Sequence, residues 1–269
     1  MQESTYAELK QVIKTRIGLD LELYKGQQMR RRLDNFVTQR GGADEVAWLR
    51  SLATDREELA ALRDMLTINV SEFFRDFAQF ETLRSKVLPD LLATRSTMSI
   101  WSAACSNGQE PYSLAITLDE LGATGRYRLL ATDLDRAVLA KAQAGGPYIA
   151  NDVRNVSAAR REQYFAEDGD QLFVKPALRS RVTFREHNLL ADAYGANYDL
   201  IVCRNVLIYF SPEAKNEILR RFQQALKPGG VLFIGATEAL LGADSKGYRA
   251  LGGNFYQRAE EPAIRGMVA

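Results

Sequence analysis

The sequence predicts an α/β fold, a doubly wound sheet with a small inserted β-subdomain, preceded by an all-α N-terminal domain. Three observations predict it. Residues 1–66 carry apolar stripes at helical spacing with no strand pattern between them. From Met98 onward, short apolar runs alternate with helical segments, the texture of a parallel sheet whose strands are joined by crossover helices. One run, Tyr198-Asp-Leu-Ile-Val-Cys203, is almost wholly apolar, as a strand buried on both faces should be.

Each element follows in chain order. Met29, Leu33, Phe36 and Val37 form one helical stripe that Gly41-Gly42 is suited to stop. Trp48, Leu49 and Leu52, then Leu59, Leu62, Met65 and Leu66, form the next two. Residues 67–97 read as a linker and connecting helix, and 98–269 as the α/β domain. Its first strand is Ile100-Trp-Ser-Ala-Ala104, followed by a helix from about Pro111 to Leu121. Tyr127–Thr132 is the second strand, ending in Asp133-Leu-Asp135, with a helix over Ala137–Ala144. Val182–Arg185 is the third strand and Tyr198–Cys203 the fourth. A helix through Ala214–Leu226 stops at Lys227-Pro-Gly-Gly230, then come Val231–Gly235 and a terminal strand, Asn254–Arg258. The turn signal Asp168-Gly-Asp170 before Leu172-Phe-Val174 marks a hairpin insert at about 166–181.

Composition narrows the chemistry. A net charge of +1 gives no global attraction to nucleic acid or anionic membrane. Cys105 and Cys203 are too few for a disulfide framework or a zinc site, so no metal is expected. The lone histidine, His187, limits any mechanism built on a histidine base, and it reads as a structural or surface residue. The N-terminus is polar and no apolar run approaches the roughly 18 residues that span a bilayer. A cytoplasmic location without membrane insertion is expected.

In such a sheet the ligand crevice lies outside the carboxyl ends of the strands. The residues there are Ala104–Glu110, Asp133, Asn188 and Arg204-Asn205. An acid ending the second strand, Asp133, suits a ribose diol. Asn188 and Asn205 offer both donors and acceptors to adenine edges or an amino-acid tail. Plainer roles suit the same residues. Asp133 and Asp135 would serve as helix caps, the asparagines as turn residues, and Glu110 as a partner of a helix dipole. A phosphate-bearing ligand wants several glycines and no acid, whereas this corner holds Gly108 alone with Glu110 behind it. S-adenosylmethionine has no phosphate and is cationic at both ammonium and sulfonium, so a methyltransferase is the leading reading.

Six stretches carry a resemblance over nearly the whole chain. They are Thr67-Ile-Asn-Val-Ser-Glu-Phe-Phe-Arg75, Trp101-Ser-Ala-Ala-Cys-Ser-Asn-Gly-Gln-Glu-Pro-Tyr-Ser113, Ala131-Thr-Asp-Leu-Asp135, Asn188-Leu-Leu190, Cys203-Arg-Asn-Val-Leu-Ile-Tyr-Phe210 and Leu226-Lys-Pro-Gly-Gly230. In these the chain resembles the bacterial chemotaxis receptor methyltransferases, the CheR family. The resemblance implies transfer of a methyl group from S-adenosylmethionine to glutamate side chains of the chemoreceptor cytoplasmic helical bundle, leaving S-adenosylhomocysteine. It implies cofactor contacts from Asn69, Ser71, Arg75, Glu110, Asp133, Asn188, Leu189, Asn205 and Val206, with Arg75 and Tyr209 catalytic.

Three features depart from the family pattern. Gln109 stands where Glu is common, and Ser71 where Thr is frequent. The insert is short and lacks the glycine-rich loop of members that dock a receptor C-terminal pentapeptide, so a pentapeptide-independent enzyme is expected. Lys25, Arg30, Arg31, Arg32 and Arg40 fall within one short helical stretch with Asp34 the only acid. Such a cluster is ordinarily a solvated face. Here Lys25 and Arg30–Arg32 are expected to steer the acidic substrate helices. A monomer that binds no nucleic acid is expected. Two rivals stay open: an N-methyltransferase on the same fold, disfavoured by the absence of an Asn/Asp-Pro-Pro-aromatic block after strand four, and a non-catalytic adaptor.

Overall fold

The amphipathic stripes of the N-terminal region become helices α1 (Glu3–Val12), α2 (Gly26–Arg40), α3 (Glu45–Ser51) and α4 (Arg56–Leu66). The computed structural model describes residues 1–41, 44–67 and 69–259, so Gly42 of the expected stop lies outside the described residues. Helix α2 buries Met29, Leu33 and Val37, four residues apart, on one face. Asp44 caps α3 by accepting from the Ala47 N–H, and Asp55 caps α4 by accepting from Glu57 and Glu58. Leu9, Ile13, Leu33, Val37, Leu52 and Leu62 are fully enclosed in this unit's core.

Clustering of the chain gives two units, Met1–Val70 with Ile208–Lys215, and Ser71–Leu207 with the described residues from Asn216 onward. The expected α/β domain spans residues 98–269, and one short segment within that span, Ile208–Lys215, groups with the helices. The cause is main-chain pairing that side-chain periodicity cannot reveal. The Lys25 N–H donates to the Tyr209 carbonyl at 2.9 Å and the Ser211 N–H to the Leu23 carbonyl at 2.9 Å. Tyr24 and Phe210 form the antiparallel bridge between them, with their rings 5.1 Å apart.

The second unit begins with helices α5 (Phe77–Thr82) and α6 (Leu88–Thr94), joined by a π-helical turn at Leu83–Val87. Then come β1 (Met98–Ala103), α7 (Gln109–Glu120), β2 (Tyr127–Asp133), α8 (Arg136–Ala144) and α9 (Ala158–Tyr164). The insert is the antiparallel pair β3 (Phe165–Asp168) and β4 (Gln171–Val174), followed by a single helical turn, α10 (Pro176–Arg179). The main sheet resumes with β5 (Val182–Glu186) and β6 (Tyr198–Cys203). It ends with α11 (Pro212–Ala225), β7 (Leu226–Ile234), β8 (Tyr248–Gly252) and β9 (Phe255–Arg258).

Strand order is β5-β2-β1-β6-β7-β9-β8, and β5 through β7 are parallel. The winding reverses between β1 and β6, the switch point where such sheets open a crevice. The last two strands correct the expectation of an all-parallel sheet. β8 and β9 are joined at Gly253-Asn254, and so short a connection forces antiparallel pairing. β8 escaped the pattern reading because it is a mostly exposed edge strand without alternating apolar residues. No helix among the described residues is long and apolar enough to cross a membrane.

β6 is buried along its whole length, including Asp199 near its start, which is fully enclosed. That carboxylate accepts from Lys227 Nζ at 2.8 and 2.9 Å and from the Ser99 N–H at 2.8 Å. Arg95 Nε lies 3.0 Å away. Removing it would leave two partly buried cations and one N–H unmatched. Asp199→Ala should therefore destabilise the second unit by about 2 kcal/mol, read as a lowered urea midpoint, and Asp199→Asn by less.

Candidate active site

The loop between β1 and α7 is shaped by backbone conformations that ordinary residues rarely adopt. Ala104 (φ 62°), Ser106 (φ 49°) and Gly108 (φ 90°) all lie in the left-handed region. At Gly108 glycine is required twice over, because a Cβ there would sit 2.9 Å from the Ala142 Cβ. The bends turn the Cys105 N–H to the Thr132 carbonyl at 2.9 Å and the Ser106 N–H to Asp133 Oδ2 at 2.7 Å. Asp133 Oδ1 accepts from the Asp135 N–H at 3.0 Å. Asp135 caps α8 by accepting from the Ala137 N–H at 2.9 Å. The two acids thus divide the roles that the sequence left open: Asp135 is the cap, and Asp133 is held rigidly at the strand end. Burial raises the Asp133 carboxyl above its ordinary pKa, and the N–H groups of Asp135 and Ser106 draw it back.

A second rim is the stretch Ser71–Asp76, strained at Phe74 (φ 52°) and Asp76 (φ 57°). It is pinned by the Phe73 N–H to the Asp152 carbonyl at 2.9 Å and by the Phe74 N–H to Ser113 Oγ at 2.9 Å. The Ser113 hydroxyl, fully buried, passes its own proton to the Gln109 carbonyl at 2.7 Å. Glu72 adds an ion pair with Arg154 at 2.5 Å. Ser71 and Arg75 are half-buried along this rim.

Past β6 lies Arg204, a residue for which the sequence reading gave no role. Its side chain is only 2% exposed. It donates to Asp76 Oδ2 and to the Arg75 carbonyl, both at 2.8 Å, and reaches Glu110 Oε2 at 3.4 Å. Glu110 Oε1 accepts from the Ser102 hydroxyl at 2.8 Å. Burial raises the Glu110 carboxyl, while Arg204 and Ser102 lower it. Asn205 (φ 60°) gives its N–H to Glu238 Oε2 at 3.0 Å, and the Gly235 N–H reaches the same oxygen at 2.7 Å. Val206 follows it, half-buried. Glu238 was also missed, although the rule that found Asp133, an acid just past a strand, applies to it equally.

Asn188 and Leu189 follow β5. Asn188 Oδ1 accepts from the Leu190 N–H at 2.9 Å, the turn role. Arg221 and the Tyr194 hydroxyl both donate to the Leu189 carbonyl, at 2.8 and 2.9 Å. His187 packs edge-on against Trp101, and burial lowers its pKa, so the ring is neutral at physiological pH. Burial raises both thiols, Cys105 and Cys203, and keeps them protonated.

The remaining candidates lie in the helical unit. Lys25 and Arg31 are exposed. Arg30 and Arg32 are half-buried and engaged internally. Arg30 donates to Glu3 at 2.9 Å and to the Met1 carbonyl at 3.0 Å while stacking on Tyr6, 4.0 Å from the ring centre. Arg32 donates to the Met65 carbonyl, and burial lowers its pKa. Lys10, Tyr6, Arg30 and Arg31 line a groove of about 810 Å³ together with Glu22 and Asp34. Asn69 donates from its amide to Thr67 Oγ1 at 3.1 Å.

The chemistry of the rim favours a cationic ligand. Buried carboxylates are costly unless a cation faces them. Glu110 and Asp133 are both nearly buried, and Arg204 divides its guanidinium between Glu110 and the partly exposed Asp76. The donor set therefore fits S-adenosylmethionine and does not fit a polyphosphate.

Comparison with known proteins agrees. The family model described as CheR methyltransferase, all-alpha domain, matches residues 4–67, and the CheR methyltransferase, SAM binding domain, matches residues 69–253. A chemotaxis protein methyltransferase of Listeria monocytogenes is 40% identical over 255 residues, covering 94% of this chain and 97% of that one. Chemotaxis protein methyltransferase 1 of Pseudomonas aeruginosa is 41% identical over 235 residues, covering 83% and 85% of the two chains.

The geometry around Glu238 generates a test of its own. Glu238→Ala orphans the buried N–H groups of Asn205 and Gly235 and should cost about 2 kcal/mol, measured by chemical denaturation. Glu238→Gln keeps an oxygen acceptor and should recover most of that loss.

Proposed function

The chain belongs to the CheR methyltransferase family, and from that premise we propose that it methylates glutamate side chains of chemoreceptor cytoplasmic domains. The product in this reading is the glutamate γ-methyl ester. The observation that carries its cofactor side is the pair of nearly buried carboxylates, Asp133 at the end of β2 and Glu110 in the first turn of α7. S-adenosylmethionine, when bound, supplies a methyl group activated by a positively charged sulfur.

Asp133 would accept hydrogen bonds from the ribose diol, and Glu110 would face the α-ammonium. Asn69, Ser71, Asn188, Leu189, Asn205 and Val206 would hold the remainder of the cofactor. A substrate glutamate has an ordinary pKa of about 4.3, so it is already ionised at neutral pH. No general base is required, which agrees with a neutral His187 and protonated thiols. The work left to the protein is to hold the carboxylate in line with the methyl group. Arg75 suits that task because a guanidinium can fork a carboxylate, and Tyr209 can orient it with one hydrogen bond.

Receptor recognition in this reading falls to the exposed cations. Lys25 and Arg31 are free of the internal roles that occupy Arg30 and Arg32, and they would meet the acidic methylation helices. The short β3–β4 insert supports action without a receptor pentapeptide. The protein would work as a cytoplasmic monomer without nucleic acid.

Incubation with labelled S-adenosylmethionine and chemoreceptor cytoplasmic domains, followed by alkali, should release volatile labelled methanol. A label that stays on protein through alkali would instead mark an N-methyltransferase, and absence of transfer an adaptor. Arg75→Ala should lower kcat by about 100-fold with stability little changed. Lys25→Glu with Arg31→Glu should raise the KM for receptor at least several-fold and leave cofactor affinity alone, whereas Arg30→Glu should mainly lower the melting temperature. Calorimetry with a receptor C-terminal pentapeptide should show no saturable binding.

A further inference from the structure

Resting on the cofactor reading above, we propose that Arg204 is a positioning residue whose guanidinium holds both the Glu110 carboxylate and the Arg75 main chain, tying cofactor binding to methyl transfer. Its nitrogen Nη2 meets the Arg75 carbonyl and Asp76 Oδ2 at 2.8 Å each, and Gln79 Oε1 at 3.4 Å. Nη1 reaches Glu110 Oε2 at 3.4 Å. The guanidinium lies over Phe233 and Phe80, 4.8 and 5.4 Å from their ring centres, which fixes its plane. Gln79 is itself anchored, through its amide, to Asn254 Oδ1 at 2.6 Å, and the Asn254 amide donates to the Gly235 carbonyl at 2.7 Å.

Two features separate this from an ordinary structural ion pair. Arg204 Nε is buried with no hydrogen-bond partner, so the side chain is placed to suit its neighbours at the expense of its own satisfaction. Its contacts also converge on one strained segment, since Arg75 stands between Phe74 and Asp76, both at positive φ. A single bond to the Arg75 carbonyl there restrains the backbone from which the Arg75 side chain springs.

The two functions of the guanidinium are separable. Burial and the like charge of Glu238 raise the Glu110 carboxyl, and the guanidinium, as a charge, pulls it back down with the Ser102 hydroxyl assisting. The other groups that feel Glu110, the Cys105 and Cys203 thiols, are neutral. As a fork it holds the Arg75 carbonyl and Asp76 at once, which a lysine ammonium on a flexible stem does poorly.

The test measures S-adenosylhomocysteine binding by calorimetry between pH 5.5 and 8, and kcat for receptor methylation. In Arg204→Gln, Glu110 loses the cation that lowers its pKa, so it takes up a proton at higher pH than in the wild type. The expected result is binding weakened about tenfold near pH 6 and recovering toward pH 8. Arg204→Lys should restore the wild-type pH profile while kcat stays at least about tenfold low. A folded Arg204→Gln with wild-type affinity across the range overturns the proposal. So does a pH-independent loss that lysine does not relieve, because that is general damage to the fold. If Arg204→Gln does not fold, Arg204→Lys decides alone: wild-type affinity with reduced kcat supports the proposal, and wild-type kcat overturns it. Failure of the unmodified protein to bind S-adenosylhomocysteine would count against the cofactor reading itself.

Discussion

A guanidinium removed from water sets the terms for this molecule. Arg204 has almost no solvent contact, and an unpaired charge in such a place would cost several kcal/mol. Its partners must therefore come from the chain, and they come from places far apart in sequence: Arg75, Asp76, Gln79 and Glu110. The Ser71–Asp76 rim, the start of α5 and the first turn of α7 are thereby drawn to the end of β6. That strand is buried on all six residues and carries an enclosed charge near each end, Asp199 at the start and Arg204 just past the finish. The two ends are handled differently. Around Asp199 two cations and an N–H close the account on one anion. Around Arg204 two carboxylates, one nearly buried and one partly exposed, share one guanidinium.

Much of this was legible in the residues. Helical stripes and apolar runs gave the all-α region, the parallel strands and the hairpin insert, because burial on one face or two imposes a period that composition records. The strand-end rule led to Asp133, Glu110, Asn188 and Asn205 without any knowledge of packing. Glycine scarcity beside an acid separated a phosphate-free cation from a nucleotide. Each of these readings depends on local pattern, and local pattern is what a single sequence carries.

The parts that were not legible depend on main-chain partners. The segment Ile208–Lys215 joins the helical unit through carbonyl and N–H groups at Leu23, Lys25, Tyr209 and Ser211, which every residue type possesses. β8 joins the sheet as an exposed edge, and edge strands need no apolar alternation. The division between Asp133 and Asp135 turned on which carboxylate met the Ala137 N–H, a matter of loop geometry two residues wide. In the basic cluster, spacing could not tell Arg30 and Arg32, which are occupied internally, from Lys25 and Arg31, which face solvent.

The distribution of strain suits the proposed chemistry. Phe74, Ala104 and Ser106 hold a left-handed backbone that such residues disfavour, and Asp76 and Asn205 hold it at less cost. Such conformations persist only where surrounding bonds over-determine them. Here those bonds are the buried hydroxyl of Ser113, the carboxylates of Asp133 and Glu238, and the Arg204 fork. A reaction that needed proton transfer would call for a titrating group near neutrality, and burial has moved His187 and both thiols away from that range. Displacement at a methyl group by a carboxylate that is already ionised asks for distance and alignment instead. A strained rim held by buried hydrogen bonds suits alignment, which is what the proposed reaction needs.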